Sequence, residues 1–89
     1  MISIDIVWSR IATHKGETFH QKRGKPFTYR VEGGTVCLDT TNQAIARGQF
    51  KEALDRMPLS GPGQINDLRG PSYIYAILTD RRITIDTDG

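Results

Sequence analysis

Seven side chains in the first third of the chain have the types and spacing for phosphate chemistry. Lys22, Arg23 and Lys25 fall within one short stretch, His20 and Arg30 flank it, and Arg10 and Lys15 precede it. Residues 1–30 carry six Lys and Arg against Asp5 and Glu17, a net of +4, whereas 31–60 and 61–89 each sum to −1. The formal charge of +2 therefore hides a basic segment. Clustered Lys and Arg bind nucleic-acid backbones by displacing condensed counterions from the phosphates, and a two-stranded ribbon is narrow enough to enter a major groove. The same charges on a hairpin tip also keep an exposed turn solvated and its edges from pairing with other chains. The pI of 8.9 sits just below the value of about 9 that marks nucleic-acid-binding domains, which leaves both readings standing.

Other chemistries find weaker footing. Zinc sites draw paired ligands from one turn, as in Cys-x2-Cys or His-x3-His, and His14, His20, Cys37 and Asp39 offer no such pair, so no metal or other cofactor is assigned. Cys37 as a nucleophile would need His20 brought beside it across an intervening strand, and no glycine elbow surrounds the thiol. Gly61-Pro62-Gly63 lacks the Lys-Ser or Lys-Thr of a phosphate-cradling loop and loses one backbone donor at the proline. Arg69 and Ser72, around Gly70-Pro71, put a guanidinium and a hydroxyl at a helix start, where they serve either an anion or the helix cap. The carboxylates Asp39, Glu52, Asp55 and Asp67 are scattered, and Glu52 with Asp55 fits a solvated helix face. No catalytic residue is assigned.

The elements that must position the cations can be read from periodicity. Ile2, Ile4, Ile6 and Trp8 alternate at period two and predict a first strand with one buried face. A second strand, about Glu17–Gln21, and a third, about Lys25–Glu32, flank the loop Lys22-Arg23-Gly24, with glycine at the position where such loops need positive φ. That loop sets Phe19 opposite Phe27 and Thr18 opposite Thr28. Gly33-Gly34 suits a type I′ turn into a fourth strand, Thr35–Thr40, setting Val31 opposite Val36 and Tyr29 opposite Leu38. Phe19, Phe27, Tyr29, Val31, Val36 and Leu38 then share one apolar face. A helix is predicted over Gly48–Met57, capped at Gly48 and stopped by Pro58, with Ile45 packing nearby. Residues 59–70 read as a loop with a short turn near Ile65–Leu68. Pro71, Tyr73, Ile74, Ile77 and Leu78 fit a short helix, against a strand reading based on their β propensity, and Ile83 with Ile85 suggests a last strand.

These elements compose a single α+β domain over 1–89: a small, mostly antiparallel sheet of four or five strands around a central β-meander, with two short helices packed on one face. A single cysteine allows no internal disulfide, so a reducing, cytoplasmic setting is the default. The N-terminal stretch lacks the basic start and apolar run of a signal peptide, and no apolar run approaches the roughly 18 residues of a spanning helix, so no membrane partner is expected. The preferred function is a small non-enzymatic nucleic-acid-binding or regulatory module using the basic hairpin. The alternative is a protein-interaction or assembly module in which Tyr73, Ile74 and Tyr75 meet another chain. A third is a small enzyme or enzyme subunit with unidentified carboxylates. A thin core and unpaired sheet edges favour a homodimer.

Overall fold

Ser3 opens the first element by accepting the Ile6 N–H at 3.3 Å, and Asp5 in the first turn with Arg10 in the last complements the helix dipole. The computed structural model describes residues 3–84, and in it this segment is helix α1, Ile4–Thr13, not the expected strand. Two periods overlap here. Ile4, Val7, Trp8 and Ile11 satisfy the helical spacing as well as Ile4, Ile6 and Trp8 satisfy alternation, and the cap together with the longer register through Ile11 decides for the helix. Val7 and Ile11 are fully buried, while Ile6 is 48% exposed.

Strands β1 (Phe19–His20) and β2 (Pro26–Phe27) form an antiparallel ribbon in the expected register, Phe19 opposite Phe27. The Gln21 N–H donates to the Lys25 carbonyl at 2.9 Å and the Gly24 N–H to the Gln21 carbonyl at 2.7 Å, closing the loop with Gly24 at φ +92°. The third strand does not run unbroken from 25 to 32. At Thr28 both the amide, at 2.9 Å, and the hydroxyl donate to the Asp39 carboxylate, and the Thr28 carbonyl accepts the Asp39 N–H, so the expected Thr18–Thr28 pairing does not form. The single sheet becomes two: the ribbon, and a three-stranded sheet of β3 (Tyr29–Glu32), β4 (Thr35–Leu38) and β5 (Ala44–Ala46) in that order. Tyr29 pairs with Leu38 and Val31 with Val36 as expected. Of the two turn glycines only Gly33 has positive φ, the sign pattern of a type II′ turn instead of type I′.

Helix α2, Arg47–Asp55, grows directly from β5 with Ala46 at the N-cap and no side-chain cap, so Gly48 lies in the first turn and not at the cap. The following loop contains a 3₁₀ turn at Pro62–Ile65, earlier than expected. Residues 71–78 resolve as helix α3, Pro71–Leu78, because a proline preset for the first turn and the spacing of the buried Ile74, Ile77 and Leu78 outweigh β propensity. Ile83 lies in a short helix α4, Arg81–Thr84, and not in a last strand; Ile85 falls outside the described residues.

Among the described residues four helices, instead of two, thus close an α+β core. Phe19, Phe27, Tyr29, Val36 and Leu38 of the expected face are buried, Val31 only in part, against Val7, Ile11, Phe50, Ile74, Ile77 and Ile83. Tyr29 ties sheet to helix: its hydroxyl donates to the Ile11 carbonyl at 2.7 Å, and burial raises its pKa well above the ordinary phenol value. No helix among the described residues is long and apolar enough to cross a membrane. Gly70, before α3, has φ +60°, and a Cβ there would stand 2.8 Å from Ile45 Cδ1 and 3.0 Å from Gln43 Oε1. Gly70→Ala is expected to cost about 1–3 kcal/mol, combining left-handed strain with that clash. A lowered urea midpoint at constant slope checks this; an unchanged midpoint would reject it.

Candidate functional site

The ribbon brings Lys22, Arg23 and Lys25 to one exposed tip, and its base is fixed because Phe19 and Phe27 are sunk in the core. The tip is therefore a surface of the body and not a free arm. Lys22 is held from outside the ribbon as well: its Nζ donates to the Ser60 carbonyl at 3.3 Å and stands 6.0 Å from the Tyr75 ring centroid. Beside it a cleft of about 630 Å³ opens between the tip and the chain around α3, lined by Gln21, Lys22, Arg23, Pro62 and Ser72.

The disposition of charge sets this end apart. Asp5 pairs with Arg47, Glu32 with Arg30, Asp55 with Lys51, Glu52 and Asp67 with Arg56, and Glu17 and Asp80 with Arg82. The remaining described carboxylate, Asp39, accepts from Thr28, whose hydrogen bonds hold it below the usual carboxylate range. Among the described residues no carboxylate pairs with Lys22, Arg23 or Lys25. Their charge stays unneutralised and available to an external anion.

The other sequence-assigned residues are placed differently. His20 is exposed on β1 beside the tip, and Lys15 is exposed in the turn after α1. Arg30 is engaged by Glu32 on β3. Arg10 donates from Nη1 to the Ile83 carbonyl at 3.0 Å, which ties α1 to α4. Arg69 and Ser72, three positions apart in sequence, are separated: Ser72 lines the tip cleft, whereas Arg69 lines a second crease with Gln43 and Gln49, its N–H donated to Gln49 Oε1 at 2.8 Å. His20 and Cys37 lie on different sheets, and among the described residues no three His, Cys, Asp or Glu converge as metal ligands. Sequence reasoning missed Gln21 and Pro62 as walls of the cleft and Ser72 as a partner of the hairpin, because nothing local marks a contact that loop packing creates.

A second charged cluster is structural. Arg82 grips Asp80 through two nitrogens, reaches Glu17 Oε1 at 3.0 Å and the Thr18 carbonyl at 2.9 Å, and stacks with its Cζ 3.7 Å from the Phe19 ring centroid. Hydrogen bonding to Arg82 holds the Asp80 carboxyl below its ordinary range despite partial burial, and hydrogen bonds from His14 first and Arg82 second do so for Glu17. A carboxyl more acidic in the folded state stabilises fully above its unfolded value, about 3.9 for Asp, and loses that contribution as pH falls through the folded value. Stability is thus expected to decline below about pH 4, and Asp80→Asn to flatten that decline. Urea midpoints measured from neutral pH into acid check this, and an acid limb unchanged in the variant would refute it.

No protein-family model matches the chain, and no curated protein or solved structure matches it either.

Proposed function

We propose that the protein binds nucleic acid through phosphate contacts from Lys22, Arg23 and Lys25, without a catalytic step. The carrying observation is the uneven pairing of charge: every described carboxylate is engaged elsewhere, so three adjacent cations stay free of ion pairs at one end of the molecule. Phosphate contacts use such cations as counterion substitutes and carry little sequence information. The fixed base of the ribbon favours contact with the outside of a strand over insertion of the ribbon into a groove. The apolar set that an assembly surface would use is largely spent: Ile74 is fully buried and Tyr73 packs edge-on against Phe27 at 5.0 Å.

Fluorescence anisotropy with labelled single- and double-stranded oligonucleotides tests the reading. Three phosphate contacts predict that affinity falls about 20-fold for a single strand and about 40-fold for a duplex between about 50 and 200 mM salt. Absent or salt-independent binding would reject it.

A further inference from the structure

We infer that the cleft beside the hairpin tip is a nucleotide-sized site that seats a phosphate between Lys22 and Arg23 and so selects a single strand over a duplex, an inference that rests on the phosphate-binding reading above. Side chains on both walls carry unspent capacity. The Lys22 ammonium has three donors, and only one is spent, on the Ser60 carbonyl, which fixes the head without neutralising it. Arg23 supplies a planar fork suited to two phosphate oxygens. Across the cleft the Ser72 hydroxyl makes no hydrogen bond among the described residues, nor does the Gln21 side-chain amide, and Pro62 is the apolar wall between polar neighbours. Of the first three positions of α3, Pro71 has no N–H and the Tyr73 amide is taken by the Gly70 carbonyl at 3.0 Å, which leaves the Ser72 amide and the side chains named above as the unspent donors.

Size and shape narrow the ligand. A volume of about 630 Å³ exceeds what one inorganic anion fills and falls within the range of about 300–1,000 Å³ typical of small-molecule pockets. A phosphate with its sugar and base attached can enter such a space. In a duplex the bases are stacked inward and only the backbone ridge meets the protein, so a duplex touches the tip while leaving the cleft unused. A single strand fills both.

The test compares uridine monophosphate, a short oligo-uridine and a duplex of equal length at one salt concentration, with wild type, Ser72→Ala and Ser72→Gln. Uridine monophosphate is expected to shift the backbone amide resonances of Gln21 and Ser72, and the oligo-uridine to bind more tightly than the duplex. Ser72→Ala is expected to weaken the single strand about tenfold, the loss of one charge-assisted hydrogen bond, with the salt slope and duplex affinity unchanged. Ser72→Gln, which adds bulk without charge, is expected to weaken it further. Equal affinities for single strand and duplex, or variants that bind like wild type, overturn the cleft while leaving phosphate binding at the tip intact. No salt-dependent binding by the wild type overturns both.

Discussion

Replacing Lys22, Arg23 and Lys25 together with glutamine is expected to reduce the magnitude of the salt slope of nucleic-acid binding by about 2 for a single strand and about 3 for a duplex. Each phosphate contact contributes a fixed increment through counterion release, so the variant loses the same increments on every base sequence. Adding Arg30→Gln is expected to change the slope by less than one further increment, because Arg30 is already engaged by Glu32 and its side chain is not on the tip. All three tip residues are exposed, and substitutions at such positions usually change stability by no more than about 0.5 kcal/mol, so folding is expected to persist. An unchanged slope in a folded variant would return the basic tip to a solubility role. A variant that fails to fold would instead show that the Lys22 tether to Ser60 is structural.

The parts of this site legible in sequence are those that depend on neighbours in the chain. Gly24 fixed the loop length, the loop fixed the register of Phe19 against Phe27, and the register put the three cations on one tip. The segment of helix α1 reads as a strand because Ile4 and Trp8 belong to both the alternating and the helical pattern, and only the capping hydroxyl of Ser3 and the burial of Ile11 beyond the alternating stretch separate the two. Strand β5 leaves little trace in the sequence for the opposite reason. Ala44 and Ala46 are exposed and carry no strong propensity, so Ile45 alone gave a signal, and its pairing with Val36 is a tertiary fact. The break at Thr28 likewise depends on Asp39, whose carboxylate captures both the amide and the hydroxyl of Thr28. The cleft was illegible because its far wall comes from Pro62 and Ser72, and the contact that holds Lys22 against it spans 38 positions of sequence. Local pattern finds charges; packing decides what they face.

That packing makes Phe50→Ala the largest expected loss of stability. Phe50 is fully buried on α2 and meets Trp8 of α1 edge-on, with ring centroids 5.8 Å apart and planes at 63°. Helix α2 packs on both α1 and α3, so this ring closes the helical side of the core and braces the helix that presents Ser72 to the cleft. Truncating a buried Phe to Ala costs about 3–5 kcal/mol, from lost apolar burial and the cavity left behind. A domain of this size has a total stability of roughly 5–13 kcal/mol, so the variant is expected to lose about a quarter of it or more, and most of it if the wild type lies at the lower end. Phe50→Leu, which keeps most of the volume, is expected to cost about 1–1.5 kcal/mol. Trp8, the single tryptophan, reports on the contact: its fluorescence should shift toward that of a solvated indole in Phe50→Ala even below the unfolding transition. Urea midpoints give the magnitude. If Phe50→Ala moves the midpoint no further than Phe50→Leu and leaves Trp8 unchanged, α2 does not seal the core, and the rigidity of the cleft must then come from the sheet side alone.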